Sequence, residues 1–430
     1  MPPMELSETL REYTVPLETT DPSTPPSKHI PEKVFGNAML VGLGEATHGT
    51  REFVRLKHRL IRHLVERRGF RTLAIEAGLT ATLAADDYVF EGRGTTETAL
   101  RELDKWQWQS AAVGELLQWL RSFNEGRSPD DRVRIRGIDL NDPSKPADRL
   151  QSSFERLDLP WVGADDMAAI AALADSPTGP VGEKRREAAV NAVRAVQDGL
   201  SDGHAVDSTG EREQERERTR EREQERVRHL CRAVEQACEW APVRHAHDGP
   251  HPEGMAVRDS LMAQNAERAL ELDHGEGIIA WAHDGHVQRG TFDDGSLWAD
   301  VETMGEHLTA ALGSDYRPVG FDFARGSVCA LPSGGTAGDG PRAFSIDDPP
   351  EESATASLDT LDCAPYLLRV AAASDSSRLE SLLDRPQRLR YVGSVYDSET
   401  PQEAFRETVL SESFDELVFV PESTPVRLLD

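Results

Sequence analysis

The sequence predicts an α/β protein with a mainly parallel central sheet flanked by helices and interrupted by a helical insert or cap. Three observations predict it. Short apolar runs alternate with stretches at helical spacing through residue 142, in the order strand, helix, strand, helix, strand. The strand signal then vanishes over residues 143–272, where only helical patterns recur. It returns at 278–282 and continues to the end of the chain. The predicted organisation is an N-terminal arm (1–35), a first part of the core (36–142), the insert (143–272) and a second part of the core (273–430).

The arm contains one short amphipathic piece followed by DPSTPPSKHIPEK, which reads as a segment laid on the surface. Residues 38–49, AMLVGLGEATHG, carry the apolar run Met39, Leu40, Val41 and Leu43, broken at Gly42 and Gly44, and then present Glu45 and His48. A helix is predicted over 50–68, because Phe53, Leu56, Leu60, Ile61, Leu64 and Val65 recur three and four apart and Gly69 supplies the stop. A strand over 71–78 ends in Glu76, and a helix follows at about 80–90. Trp106 and Trp108 lead into a helix marked by Val113, Leu116, Leu117 and Leu120. The alternating run 132–139 is a strand that ends in Asp139.

Within the insert, helices are predicted at 165–173, 183–196, 227–240 and 258–272. Its segment 211–226, EREQERERTREREQER, has no apolar residue, so it reads as a solvated helix or a disordered stretch. Residues 277–287, GIIAWAHDGHV, repeat the architecture of 38–49, an apolar strand followed by a turn with His283 and His286. A helix at 303–312 and strands at 317–323, 390–393 and 417–421 follow. The Gly-, Ser-, Pro- and Asp-rich segment 327–356 reads as a loop.

Composition narrows the partners. A net charge of -28 and a pI of about 4.9 argue against nucleic acid and against an anionic membrane. Positive charge is almost all arginine; the only lysines are Lys28, Lys33, Lys57, Lys105, Lys145 and Lys184. An acidic, lysine-poor chain points to a protein kept soluble in high salt, and an ordinary acidic cytosolic protein also fits. No apolar run reaches the roughly 20 residues of a membrane helix. The start MPPMELSETLREY has neither a basic n-region nor an apolar h-region, so a cytoplasmic protein is expected. Cys231 and Cys238 lie one heptad apart on the apolar face of 227–238, a core position, and neither they nor Cys329 and Cys363 form CxxC.

Glu45, His48, Glu76, His283 and His286 stand at predicted strand ends, with Asp139 a sixth candidate. Parallel strands bring their carboxyl ends to one edge, so groups far apart in sequence can converge there. A histidine is the natural general base near neutral pH, a carboxylate can fix its tautomer, and a second histidine can donate to an oxyanion or to a leaving group. Such a set activates water without a covalent nucleophile. No G-x-S-x-G, phosphate-binding G-x-x-x-x-G-K-[ST] or H-E-x-x-H motif is present. Two other readings use the same residues. One is a metal-dependent hydrolase, in which His283-x-x-His286 with Glu45 or Glu76 binds zinc. The other is a non-catalytic binding module with a degenerate site.

The segments GEATHGTREFVRLKHRLIRHLVERRGF, LAIEAG, RIRGIDL, RDSLMAQN, IIAWAHDGHV, TMGEHLTAALG and RYVGSVY, in that order from about residue 35 to the end, resemble the erythromycin esterase family. The resemblance implies hydrolysis of a cyclic ester such as a macrolide lactone by water, a link to antibiotic resistance, no cofactor and no metal. By motif, His48 would be the base and Glu45, Glu76, His283 and His286 its companions. Lys57 stands where the family carries a basic residue, usually arginine, and with Arg258 and Asp139 it is a candidate for contact with substrate. Two departures are visible: Asp284 replaces an asparagine more often found between the histidines, and the arginine–glutamate insert is unusual.

Overall fold

A computed structural model describes residues 3–24, 34–154, 162–175, 181–201, 211–246, 251–291, 300–335, 339–361 and 365–429, without the side chains of 3–4 and 211–219. Residues 25–33 of the arm and Cys363 lie outside the described residues. The strands are β1 (Thr14–Pro16), β2 (Leu40–Leu43), β3 (Thr72–Gly78), β4 (Arg134–Asp139), β5 (Ile278–Trp281), β6 (Tyr316–Pro332), β7 (Arg342–Ile346), β8 (Tyr366–Leu368), β9 (Gln387–Arg390), β10 (Val395–Tyr396), β11 (Phe405–Thr408) and β12 (Glu416–Ser423). The main sheet runs β1-β8-β12-β6-β2-β5-β3-β4. Strand β2 pairs in parallel with both β5 and β6; β3 is parallel to β5, and β12 to β6. The β12–β8–β1 edge and the β6–β7 hairpin are antiparallel. The predicted class, a mainly parallel α/β sheet with flanking helices, is the one observed.

Both faces of the sheet are covered, which is why its central strands are apolar throughout rather than alternating. The period of two still divides their side chains between two cores. Val41, Leu43, Leu73, Ile75, Ile279 and Trp281 share a core with helices Arg51–Arg68 and Ala111–Asn124. Leu40, Ala74, Ile278 and Ala280 face the other way, onto Met262, Ala266, Met304 and Leu308. Helix Arg51–Arg68 starts after Thr50 and stops at Gly69, whose φ of 75° is left-handed and whose N–H caps the Leu64 carbonyl. No described helix is long and apolar enough to cross a membrane.

The chain divides into two compact units: residues 1–77, 82–138 and 262–430 form the first, and 78–81 with 139–261 the second. In the second unit, helices Ser144–Phe154, Ala164–Ala174, Glu183–Ser201 and Glu211–Arg244 pack on one another. The first of these has no counterpart in the sequence reading. The charged segment 211–226 is the beginning of the long fourth helix, which buries Val227, Leu230, Cys231, Val234 and Cys238 further along. Cys231 and Cys238 are thus core residues, and burial pushes the Cys238 thiol up to about 12.

Three expectations are corrected. The N-terminal segment does not simply lie on the surface: β1 adds an edge strand to the sheet, and Leu10 and Leu17 are buried. Segment 327–356 is not a loop, because β6 runs on to Pro332 and β7 folds back on it. The run 390–393 is not a continuous strand. Strand β9 ends at Arg390, paired with β11 in a separate small sheet, and the next residues leave it.

Candidate active site

Strand β2 ends at Leu43, and the turn after it is tight. A Cβ on Gly44 would meet Asp284 Oδ1 at 1.9 Å, and one on Gly49 would meet the Cys329 carbonyl oxygen at 1.7 Å, so both positions exclude a side chain. Glu45 and His48 lie between them, both buried. His48 Nδ1 donates to Glu45 Oε1 at 2.6 Å. The other carboxylate oxygen, Oε2, accepts from Lys57 Nζ at 2.5 Å and from the Trp281 indole N–H at 2.9 Å. Burial pushes the Glu45 carboxyl up, but the Lys57 ammonium and the hydrogen bond from His48 outweigh it and hold Glu45 below its ordinary range. An ionised carboxylate only accepts, so neutral His48 carries its proton on Nδ1 and leaves the Nε2 lone pair free to act as a base.

Lys57 is fully enclosed, with its ammonium 4.5 Å above the Trp281 ring and 5.2 Å from the Phe321 ring centroid. Burial pulls Lys57 below its ordinary value, against the attraction of Glu45. The charged pair is the state the geometry favours, because three donors converge on one carboxylate. Expected to touch substrate, Lys57 instead faces the carboxylate that holds the proposed base.

Strand β5 ends at Trp281 and delivers the second histidine turn. His283 opens the one-turn helix Asp284–Val287, and its Nδ1 accepts from the Gly285 N–H at 3.1 Å. Its own backbone N–H donates to Glu76 Oε2 at 2.9 Å. With Nδ1 accepting, the neutral ring carries its proton on Nε2, and this buried N–H has no hydrogen-bond partner among the described residues. Burial first, then the nearby His48, pulls His283 down to about 3, so the ring is neutral. The His48 and His283 ring centroids are 5.1 Å apart. The two turns are joined directly where Asp284 N–H donates to the Glu45 carbonyl at 3.0 Å.

Glu76, near the end of β3, accepts from Lys105 Nζ at 3.1 Å on Oε1, and His286 Nε2 lies 3.8 Å from that same oxygen. The structure therefore brings Glu45, His48, Glu76, His283 and His286 together with Lys57. Asp139 and Arg258 belong to the second unit, where they form a bidentate ion pair at 2.8 and 2.7 Å. Among the described residues, no group of three or more His, Cys, Asp or Glu side chains is arranged to hold a metal ion.

Sequence reasoning missed Trp281, Lys105 and Tyr391, and noted Asp284 only as a departure from the family pattern. Trp281 had a signal, because an indole N–H in a buried strand needs an acceptor. Asp284 accepts from the Phe321 N–H at 3.2 Å, and burial raises its carboxyl well above the ordinary range despite the nearby Lys57. Tyr391 packs on the His283 ring with centroids 4.5 Å apart, and the residues after it dock on the first turn. There Val392 N–H donates to the Ala46 carbonyl at 2.8 Å and Gly393 bridges to Thr47.

Comparison with known proteins places the chain in a family and supports its fold. A family model described as "Erythromycin esterase" matches residues 65–423, a span that begins after the turn holding Glu45 and His48. Erythromycin esterase type I from Escherichia coli is 26% identical over 408 residues, covering 90% of this chain and 91% of that protein. Among solved structures, one described as a succinoglycan biosynthesis protein superposes with a TM-score of 0.80 at 21% identity, covering 99% of this chain and 98% of that one. A variant of the erythromycin esterase EreC in its open conformation superposes with a TM-score of 0.65 at 21% identity, covering 93% and 95%. These two structures support the fold.

Proposed function

The chain belongs to the erythromycin esterase family, and on that premise we propose that it opens a lactone or related small-molecule ester by direct attack of water, with His48 as general base. The observation that carries the proposal is the wiring of His48: Nδ1 is committed to Glu45 at 2.6 Å, so in the neutral ring the Nε2 lone pair is the one available to take a proton. Water gives a proton to Nε2 while its oxygen attacks the ester carbonyl. Glu45 stabilises the imidazolium, and Lys57 and Trp281 hold Glu45 ionised and aimed. The His283 Nε2–H donates to the oxyanion that forms. The tetrahedral intermediate then collapses, the C–O bond breaks, and the leaving alkoxide takes the proton back from His48. A lactone yields a hydroxy acid. His286, with Nε2 3.8 Å from Glu76 Oε1, lines the site and moves no proton in these steps. No cofactor enters these steps. Asp139 and Arg258 satisfy one another and are assigned no step.

The name of the Escherichia coli relative makes a macrolide lactone the first substrate to test, and turnover of one would confer resistance to it. We place the reaction in the cytoplasm, and the net charge of -28 makes molar KCl an assay condition alongside low salt. The test is turnover of a panel of esters and lactones by wild type and by His48→Ala and His48→Gln, with folding checked by circular dichroism. Removing the base should cost ~10²–10⁴-fold in rate. Near-wild-type turnover by folded His48→Ala would move the assignment to another histidine.

A further inference from the structure

We infer that Tyr391 is a positioning residue of this site, acting through His283; the inference rests on the esterase reading above. The reason lies in how the two histidines are held. His48 is aimed by a hydrogen bond from its own ring to a carboxylate. Among the described residues His283 has one ring hydrogen bond, at Nδ1, and its working atom Nε2 has none. A single bond at one ring corner leaves the plane free to tilt, so packing must set the direction of the opposite N–H. Two rings supply that packing, His48 with its centroid 5.1 Å away and Tyr391 at 4.5 Å, and Tyr391 is the one with no part in the proposed proton transfer. Its ring meets the imidazole edge to face, at an interplanar angle of 77°.

Tyr391 is itself fixed from several directions. Its N–H donates to the Ala404 carbonyl at 2.8 Å, and the guanidinium of Arg406 lies 5.2 Å from its ring centroid. The next residue, Val392, is hydrogen-bonded to the turn that carries His48. One short segment thus references the ring of His283 to the backbone of the His48 turn, in addition to the direct Asp284–Glu45 backbone bond between the two turns.

The test is a double-mutant cycle between Tyr391→Ala and His283→Asn on one confirmed ester substrate. Tyr391→Ala should lower kcat by about tenfold with little change in KM, as befits an interaction made only in the transition state. Tyr391→Phe should stay within about twofold of wild type, because the ring and not the hydroxyl does the packing. In the His283→Asn background, Tyr391→Ala should have no further effect, since two residues acting as one unit are not additive. Equal losses for Phe and Ala would overturn the inference by making the hydroxyl the working group. Full additivity would overturn it by placing the action of Tyr391 elsewhere. If Tyr391→Ala does not fold, Tyr391→Leu keeps the bulk without the ring and takes its place in the cycle. An activity-independent arm follows the His283 imidazole by ¹⁵N NMR: Tyr391→Leu should perturb its Nε2–H resonance and Tyr391→Phe should not, and an unchanged resonance in Tyr391→Leu overturns the inference. An active His48→Ala would refute the base assignment and leave the Tyr391–His283 coupling to be judged on its own result.

Discussion

The turns after β2 and β5 are built alike and wired in opposite senses. Both follow a fully buried parallel strand, and both deliver a histidine whose neighbour in space is the other one. In the first turn, Nδ1 meets a carboxylate oxygen and must donate to it. In the second, Nδ1 meets a backbone N–H and must accept from it. The free nitrogen is therefore a lone pair on His48 and an N–H on His283. Residue type alone does not make a base or a donor; the partner of the far ring nitrogen decides it.

The comparison breaks most severely if Glu45 is neutralised. Glu45→Gln should cost ~10²–10⁴-fold in turnover, because neither tautomer nor imidazolium is then held. The same change strands Lys57, and breaking a buried pair by removing one partner typically costs ~3–5 kcal/mol. Glu45→Gln combined with Lys57→Met should therefore recover much of the thermal stability without recovering turnover. Recovery of both would mean that Glu45 acts only on the fold.

His283→Asn should cost ~10²–10³-fold, the usual effect of losing one oxyanion donor. Its pH profile sharpens the contrast. His283 is held at about 3 by burial, so it is neutral through the assay range, and the variant should scale the profile of kcat/KM without moving its acid limb. A displaced acid limb would show that His283 itself takes up the proton.

The smallest effect is expected from the two buried histidines of helix Arg51–Arg68. His58 and His63 also have an unpartnered Nε2, yet they stand in the helix and not at a strand end. His58→Phe and His63→Leu should leave turnover within about twofold, as for changes away from the reacting groups. They should instead alter stability against pH. Burial first, then neighbouring arginines, pulls His58 down to about 3 and His63 to about 4, from an ordinary 6.5. The unfolded chain takes up these protons first, so stability falls as pH drops through 6.5 and keeps falling toward the folded values. Urea midpoints measured between pH 7 and 4.5 should fall less steeply in the variants.

Much of this was legible in the sequence because strand ends carry their own punctuation. Gly44 marks the first turn, although Gly42 proves to lie inside β2, and Ile278-Ile279-Ala280-Trp281 followed by His283 marks the second. The five acids and histidines at strand ends converge on the expected edge. What stayed hidden is what periodicity cannot carry. Lys57 falls on the buried face of a helix whose other buried positions are mostly apolar, and only the fold reveals Glu45 opposite it. Strand β6 continues through Arg-Gly-Ser because its partners, β7 and β10, come later in the chain. Tyr391 and Val392 look like strand residues, but their hydrogen bonds go to Ala404 and Ala46.

The register of the central sheet has a consequence for the order of assembly. Leu40 pairs with Ile278 on one side and with Tyr316 on the other, so β2 has neither neighbour until more than half the chain has been made. Contacts of such sequence separation make folding slow, and a growing polypeptide must carry an unpaired apolar strand on the ribosome meanwhile. Glu45 and Lys57 are synthesised early and 12 positions apart, but the Trp281 indole that completes their enclosure is 236 positions from Glu45. The chemistry of this protein is therefore switched on late, by the second half of the chain closing over the first.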